Sequence, residues 1–242
     1  MKNYIKYLLY KFSLHAHVRH RLEKFICMRK IKTILIENGY SHEICLDDID
    51  KIKNIKIRLL GVLDNTNQLI IELPQTKNLE INLTFNGQNN SIHFGENCFG
   101  KWGIATYYNN NKCVIGRRTE CSGPVYISLI NNELQIGERC MFSDNIWIWG
   151  DGHSVLSWPD KKVLNLPVEP IKIGNHCWVG ERVTITKNAQ IPDDCIVGIA
   201  SVVTKKFEEE HCVIAGAPAR VVKHNVTWDG LCPLGYEKQN QS

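Results

Sequence analysis

The sequence predicts a mainly β protein made of stacked coils of short strands, with a helical segment before the coils and an extension after them. Three observations favour this fold. Short β-rich runs begin near residue 55, aliphatic residues recur every six positions between 173 and 208, and the same pattern appears earlier at intervals of 21 residues. We therefore divide the chain into a basic, mostly helical region (1–54), the coils (55–208) and a segment that folds back on them (209–242).

The composition is that of an ordinary globular protein: 242 residues, of which 43% are hydrophobic and 22% charged, which excludes a disordered, collagenous or fibrous chain. Ten cysteines are unusual and fit a disulfide scaffold, a zinc site, a thiol nucleophile or small buried side chains. We expect no signal peptide, because Lys6 and Lys11 interrupt the apolar N-terminal residues. No apolar run reaches the roughly 18 to 20 residues of a membrane span. Reduced thiols in the cytoplasm are therefore expected.

Charge is concentrated at the beginning of the chain. Residues 1–60 contain 13 of the 29 Lys and Arg but 6 of the 25 Asp and Glu, a net charge of +7, whereas the other 182 residues carry −3. Within residues 1–38, Ile5, Leu8, Leu9 and Phe12 have helical spacing, and Gly39 is a suitable stop. Such a helix can pack on its own protein, or lie on an anionic membrane at the inner face of the cell. No recognition motif accompanies the charge, so nucleic acid is not an expected partner.

The six-residue period predicts the geometry of the coils. Residues of a strand alternate with period two, so a period of six requires short strands joined at corners, each with one aliphatic side chain inside. Three hexapeptides close a triangular coil, and stacked coils share a core. The position four residues after each aliphatic one lies at a corner that admits a small side chain. The aliphatic positions are Ile173, Val179, Ile185, Ile191, Val197 and Val203, and the corner positions are Cys177, Val183, Ala189, Cys195, Ser201 and Phe207.

The same phase continues towards the N-terminus. An aliphatic-Gly-x-x-small pattern recurs at intervals of 21 residues, which is one coil of 18 residues plus about three inserted residues. The pattern is lost between Ser154 and Pro170, so we expect a loop extruded from the coil at about 154–170. The pattern also places cysteines at the small corner position, which favours burial over the other three explanations of the cysteine count. The three matches are Phe94-Gly95 with Cys98, Ile115-Gly116 with Thr119, and Ile136-Gly137 with Cys140.

Three segments resemble the successive signatures of the hexapeptide-repeat acyltransferases: Ile173-Gly-Asn-His-Cys-Trp-Val-Gly180, Gly198-Ile-Ala-Ser-Val-Val-Thr-Lys205 and Ile214-Ala-Gly-Ala-Pro-Ala-Arg220. The resemblance covers about residues 92–228 and implies a left-handed parallel β-helix, an exception to the right-handed crossover rule. Cys140-Met-Phe-Ser-Asp-Asn-Ile146 and Gly150-Asp-Gly-His-Ser154 resemble the branch that O-acetylates bacterial capsule, lipopolysaccharide O-antigen or sialic acid. Acetyl-CoA, a saccharide acceptor and a homotrimer are what this resemblance implies.

Acetyl transfer from a thioester to a sugar hydroxyl needs a base, because an alcohol is a poor nucleophile until its proton is removed, and histidine suits this role near neutral pH. His153 follows Asp151-Gly152 at the base of the extruded loop, and the resemblance implies that it is the catalytic base. Asp151 or Asp144 would hold the imidazole, and the spacing does not choose between them. Trp178 should face outwards; by resemblance it borders the acetyl-CoA and acceptor site, and a subunit contact is the alternative.

Acetyl-CoA needs exposed backbone for its pantetheine arm and cations for its phosphates. We expect the coil edges to supply the backbone groups and the basic residues near the end of the coil to supply the charge, as the resemblance implies. The expected residues are Trp178, Gly180, Gly198, Ala200, Ser201, Thr204, Lys205, Lys206, Ala217, Pro218 and Arg220.

Other functions on the same fold remain open from the sequence. One is acetylation of a small molecule such as an antibiotic. Another is a zinc hydratase resembling the γ-class carbonic anhydrases, which would need His93, His153 and His176 to converge. A third is a non-catalytic scaffold. The favoured hypothesis is direct transfer without a metal or a cysteine intermediate, because the cysteines at the small corner position should be buried and poorly ionised.

Overall fold

The computed structural model describes residues 67–72, 77–150 and 152–240, together with the backbone of four strands between residues 27 and 62. The strands are Cys27–Met28 (β1), Ile31–Leu35 (β2), His42–Leu46 (β3), Lys53–Val62 (β4), Gln68–Glu72 (β5), Lys77–Asn86 (β6), Ser91–Phe94 (β7), Phe99–Tyr107 (β8), Lys112–Ile115 (β9), Glu120–Ile130 (β10), Glu133–Ile136 (β11), Met141–Phe142 (β12), Ile146–Gly150 (β13), Ile171–Ile173 (β14), Trp178–Val179 (β15), Thr184–Thr186 (β16), Gln190–Ile191 (β17), Ile196–Val197 (β18), Val202–Val203 (β19), Val213–Gly216 (β20) and Ala219–Lys223 (β21). A helix, Pro233–Asn240 (α1), follows them.

Strands of successive coils pair in parallel and form three faces. The first face contains β7, β9, β11, β14 and β17. The second contains the beginnings of β8 and β10, then β12, β15, β18 and β20. The third contains the remainders of β8 and β10, then β13, β16 and β19. The predicted parallel β-helix is confirmed.

The register shows how long each coil is. Cys113 pairs with Leu134, Leu134 with Ile171, and Ile173 with Ile191, which are offsets of 21, 37 and 18 residues. The 21-residue and 18-residue coils agree with the predicted phase. The offset of 37 contains the extruded loop, which closes on itself through an antiparallel bridge between Leu156 and Val163.

The aliphatic positions of the period-six pattern point into the coil, as predicted. Each is at most 2% exposed, and burying a side chain of this size contributes about 1.5 to 3 kcal/mol. In the wider 21-residue coils the interior is filled by aromatic rings: Trp102 packs edge to face against Phe94 at 5.9 Å and Phe142 at 5.7 Å between ring centroids. The inserted residues of these coils therefore make room for a bulkier core.

The edge between the first and second faces is called here the cysteine edge (residues 97–98, 118–119, 139–140, 176–177, 194–195 and 211–212). The first residue of each pair has a positive φ, for example 52° at His176, which turns the chain so that the next side chain points inwards. Cys98 and Cys195 are buried there, and burial raises the pKa of each thiol to about 12. The prediction that small corner cysteines are buried is confirmed.

The edge between the third and first faces is called the loop edge (residues 89–90, 110–111, 131–132, 150, 152–170, 187–188 and 204–206). Its early coils are held by a column of buried asparagines, in which the Oδ1 atom of each accepts the backbone N–H of the next. Asn67 accepts from Asn90, Asn90 from Asn111, and Asn111 from Asn132, at 2.9 to 3.0 Å. The Nδ2 atom of Asn132 then donates to the carbonyl oxygen of Gly150 at 3.4 Å. The column therefore ends where the extruded loop begins.

The described parts of residues 1–54 are strands, whereas most of the region predicted to be helical lies outside the described residues. Strand β2 pairs antiparallel with β5, and β3 pairs antiparallel with β4. Ile31, Thr33 and Ile34 are β-branched, and such residues favour strands over helices. The predicted helix around Ile5 and Phe12 lies outside the described residues.

The segment after the coil returns to the cysteine edge. Strands β20 and β21 form an antiparallel hairpin, and Trp228 then stacks on His176 with ring centroids 4.6 Å apart. The indole N–H of Trp228 donates to the carbonyl oxygen of His176 at 2.7 Å. Among the residues that can be described, no helix combines the length and the apolar character that a membrane span requires.

Candidate active site

His153 lies on the loop edge, three residues after β13, and its backbone is held by the extruded loop. Its carbonyl oxygen accepts a hydrogen bond from Asn165 Nδ2 at 2.9 Å, and Asn165 Oδ1 accepts from Val155 N at 2.8 Å. The far end of the loop is anchored to the next coil by Asn188, whose Oδ1 accepts from the backbone of Val168 at 2.9 Å. Two asparagines therefore define the path of the chain on both sides of the loop.

The imidazole of His153 is exposed and forms no hydrogen bond with any described side chain. Asp151, the first predicted partner, lies outside the described residues. Asp144, the second, is exposed and lies between the second and third faces, where a side chain at Gly123 would collide with its carboxylate. The five residues of β13 separate Asp144 from His153, a distance of about 16 Å along a strand. Within one chain, Asp144 and His153 therefore lie on different edges.

Coil stacking brings cationic residues to the edge that carries His153. Strands of neighbouring coils are about 4.8 Å apart. Lys187 belongs to the next coil. Its Nζ atom lies close to Gly152, since it would be 3.6 Å from the Cβ atom of a larger residue at that position. The position of Lys187 beside His153 is not predicted from the sequence, because the two residues are 34 positions apart along the chain.

Three predicted cofactor residues lie one coil further along the loop edge. Thr204, Lys205 and Lys206 are exposed, and Lys206 forms a parallel bridge with Gln190 of the previous coil. Lys206 Nζ is 3.0 Å from Glu208 Oε1, whereas Lys205 Nζ lies over the ring of Phe207 at 5.2 Å from its centroid. The loop edge thus carries the imidazole of His153 and, in the next two coils, the amines of Lys187, Lys205 and Lys206. Two coils span roughly 10 Å.

Trp178 is the first residue of β15, on the second face next to the cysteine edge. It is 38% exposed, as predicted for an outward residue, and its indole N–H donates to Ser143 Oγ at 3.4 Å. Its ring is tilted against Trp228, with centroids 6.2 Å apart. In the same chain, the first face separates Trp178 from His153. This face is about six residues wide, which corresponds to roughly 16 to 20 Å.

The remaining predicted cofactor residues cluster on the third edge, between the second and third faces, which is called the glycine edge (residues 122–124, 143–145, 180–182, 198–200 and 216–218). Ala200 is exposed, and so is the turn formed by Ala217 and Pro218, which are joined by a cis peptide bond. Gly198 is half-buried, and Arg220, in β21 just after that turn, is exposed.

Two residues predicted to leave main-chain groups accessible are buried. The amide of Gly180 donates to Val197 O at 2.8 Å inside the sheet. The hydroxyl of Ser201 donates to Gly198 O at 2.6 Å and accepts from Gly216 N at 3.1 Å, so it joins two coils. Close packing of successive coils occupies these polar groups, and the amide of the exposed Ala200 likewise donates to Glu181 O at 2.8 Å.

The third face carries an aromatic cluster that the sequence analysis missed. Tyr126, Trp147 and Trp149 stack on its outer surface, directly before the loop that carries His153. The alternation of Ile146-Trp-Ile-Trp-Gly150 could have revealed the two outward tryptophans, since residues two apart in a strand share a face.

In the part of the chain that the structure describes, no group of three or more His, Cys, Asp or Glu side chains could hold a metal ion. The histidines required by the zinc alternative are on different parts of the coil. His93 Nε2 is paired with Glu72 Oε1 at 2.8 Å on the first face, and His176 Nδ1 with Asp194 Oδ1 at 2.6 Å on the cysteine edge. His153 is on the loop edge, so the three do not form one site.

The chain forms a β-helix with an exposed histidine beside an extruded loop, as expected for the hexapeptide-repeat acyltransferases that its motifs resemble. Comparisons with known proteins agree with this resemblance. The chain is 31% identical over 119 residues to the polysialic acid O-acetyltransferase of Escherichia coli O1:K1, covering 49% of this chain and 38% of that protein. It is 31% identical over 128 residues to the galactoside O-acetyltransferase of Escherichia coli K12, covering 45% and 62%. The chain thus spans less than two thirds of either relative. No protein-family model matches it.

The fold is similar to that of a solved relative over a longer stretch. The crystal structure of the polySia specific acetyltransferase NeuO superposes with a TM-score of 0.66 at 28% identity, covering 77% of each chain. The resemblance predicted from the hexapeptide motifs is thereby confirmed: the chain is a relative of bacterial O-acetyltransferases built on a β-helix.

Proposed function

We propose that this protein transfers the acetyl group of acetyl-CoA to a hydroxyl of a bacterial surface saccharide, with His153 as the general base. One observation carries the proposal: the loop edge places an exposed imidazole, held through its backbone, in line with Lys205 and Lys206 two coils away. The relatives that act on polysialic acid and galactosides support a saccharide acceptor.

The chemistry of the edge fits direct transfer. His153 accepts the proton of the sugar hydroxyl while the oxygen attacks the thioester carbonyl; the carbon–sulfur bond breaks, and CoA leaves as a thiol after protonation by the imidazolium. A cysteine intermediate is disfavoured because the thiols that line the coil are buried, and burial raises the pKa of Cys98 and Cys195 to about 12.

The donor would lie along the coil. Amines at Lys205 and Lys206 and the guanidinium of Arg220 suit the phosphates of acetyl-CoA, and Arg220 can bind a phosphate with two parallel hydrogen bonds. Thr204 and the exposed turn at Ala217 and Pro218 offer further contacts. Lys206 is already paired with Glu208, so Lys205 would carry more of the phosphate binding.

A homotrimer would complete the site. In one chain His153 is on the loop edge and Trp178 is on the second face beside the cysteine edge, so they act together only if the loop edge of one copy meets the cysteine edge of the next. The first face, which lies between these edges, would then point towards the three-fold axis, and the third face would point outwards. The reaction belongs in the cytoplasm, the reducing compartment that suits free thiols such as Cys98 and Cys195.

The test is release of free thiol from acetyl-CoA by the full chain in the presence of sialylated, capsular, O-antigen and small-molecule acceptors. His153→Ala should lower kcat at least about a hundredfold, while acetyl-CoA still binds. Unchanged turnover in His153→Ala would show that His153 is not the general base. Thiol release with small-molecule acceptors alone would show that the acceptor is a small molecule and not a saccharide.

A further inference from the structure

The third face carries three stacked aromatic rings that the transfer reaction leaves unexplained. The ring centroids of Tyr126 and Trp147 are 4.4 Å apart with planes at 23°, and those of Trp147 and Trp149 are 5.2 Å apart with planes at 7°. Each side chain is 37 to 39% exposed. These three residues are called the aromatic strip. Exposed, ordered aromatic rings at one place on a sheet are typical of a binding surface.

The register explains how the strip is built. Tyr126 and Trp147 are neighbours on adjacent strands, and Trp147 and Trp149 are two residues apart on β13. One coil below Tyr126 lies Gly103, where a Cβ atom would be 3.2 Å from the tyrosine ring. A larger residue at Gly103 would push this ring out of the stack. The indole N–H of Trp147 donates to Asn145 Oδ1 at 3.2 Å, which fixes the middle ring.

The residues that border the strip are small or carry a hydroxyl group. Beside Trp149 lie Ser128 in one neighbouring coil and Thr186 in the other, and Thr184 lies beside Trp147. No charged side chain stands among these outward positions of the described third face. The positions directly beside the rings therefore combine flat aromatic surface with hydroxyl groups, and the aliphatic side chains of Ile130 and Val202 lie one step further out on the same face.

The strip ends beside the catalytic candidate. Trp149 is followed by Gly150, where the asparagine column ends, and His153 comes three residues later. The ring of Trp149 stacks on Trp147 on one side, and its indole N–H has no acceptor among the described residues. A ligand stacked at this end can reach the base, and Lys187 supplies a cation beside Gly152.

We infer that the aromatic strip binds the acceptor saccharide chain, with a sugar ring against Trp149 and the hydroxyl to be acetylated directed at His153. This inference rests on the proposed function and adds where the acceptor lies and what kind it is. The apolar face of a pyranose ring matches the aromatic rings, and its hydroxyl groups match the serine and threonine border. Because the strip extends away from His153, the site should favour an oligomeric acceptor over a single sugar.

The experiment measures binding and turnover separately. Binding of polysialic acid, of its monosaccharide and of dextran is measured on full-length His153→Ala protein, in which turnover does not interfere. We expect one of the two polymers to bind at least about tenfold more tightly than the monosaccharide, and Trp149→Ala to remove about tenfold of that affinity. Trp149→Phe keeps a stacking ring and should restore most of it. Phe99→Ala, which removes a ring with 38% exposure on the second face, is the matched control and should bind like the parent.

Turnover then separates this inference from the proposed function. With intact His153, Trp149→Ala should raise KM for the polymer about tenfold and leave KM for acetyl-CoA within about twofold. Two binding results overturn the inference: the parent protein binds neither polymer more tightly than the monosaccharide, or Trp149→Ala binds the polymer as tightly as the parent. A third result also overturns it. If Trp149→Ala and Trp147→Ala dissociate the oligomer in analytical ultracentrifugation, the strip is a subunit interface. If turnover survives His153→Ala, the proposed mechanism fails, whatever the binding data show.

Discussion

Replacing Asn111 with alanine should destabilise the coil strongly, because its side chain joins three levels of the buried asparagine column. Its Nδ2 atom donates to Asn90 Oδ1 at 2.8 Å and to Tyr107 O at 2.9 Å, and its Oδ1 atom accepts from Asn132 N at 3.0 Å. The residue is 1% exposed. Each buried partner left without a hydrogen bond costs about 1 to 3 kcal/mol. We therefore expect a loss of about 3 kcal/mol or more.

The matched control is Asn109→Ala, since Asn109 also links two coils, through Gln88 N at 2.8 Å, but does so in water. Its loss should cost less than about 1 kcal/mol. Thermal unfolding followed by circular dichroism should show the melting temperature of Asn111→Ala lower by roughly 6 to 12 °C, and urea unfolding should give the same ranking. If Asn111→Ala is no less stable than Asn109→Ala, the column does not support the coil and the reasoning is refuted.

Two further predictions concern the loop and the thiols. Asn165→Ala should lower kcat about tenfold with an unchanged KM for acetyl-CoA, because His153 loses its backbone support. Asn165→Asp retains an acceptor for the loop but not the donor to His153 O, so it should be equally slow; full activity would contradict the positioning role. Because burial raises the pKa of Cys98 and Cys195 to about 12, both thiols should stay protonated at pH 8 and resist alkylation, whereas exposed Cys232 reacts. Peptide mapping by mass spectrometry tests this, and rapid labelling of Cys195 in the native protein would contradict it.

Much of the coil could be predicted, because its determinants are local. A period of six places Ile173 and Val197 inside, and the loss of phase after Ser154 predicts the loop that the register offset of 37 residues shows. The strand at residues 31–35 also has a local origin, because this stretch is rich in β-branched residues.

The site was harder to predict than the coil. The motif singles out His153 and the outward Trp178, but sequence spacing does not choose between Asp151 and Asp144 as the partner of the base. The strand between Asp144 and His153 carries Asp144 to a different edge of the triangle. Gly180 is predicted to be accessible because it lies on a coil edge, yet its amide donates to Val197 O of the next coil.

The sequence by itself determined which residues face inwards, where the coils turn and where the chain leaves them, because each of these depends on a few neighbouring residues. The tertiary structure alone decided which side chains share an edge or a face. Lys187 and Lys205 reach the edge of His153 through coil stacking, with separations set by inserted residues rather than by any local pattern. The aromatic strip and the asparagine column arise in the same way, since their members are joined across strands that are 21 residues apart in the chain.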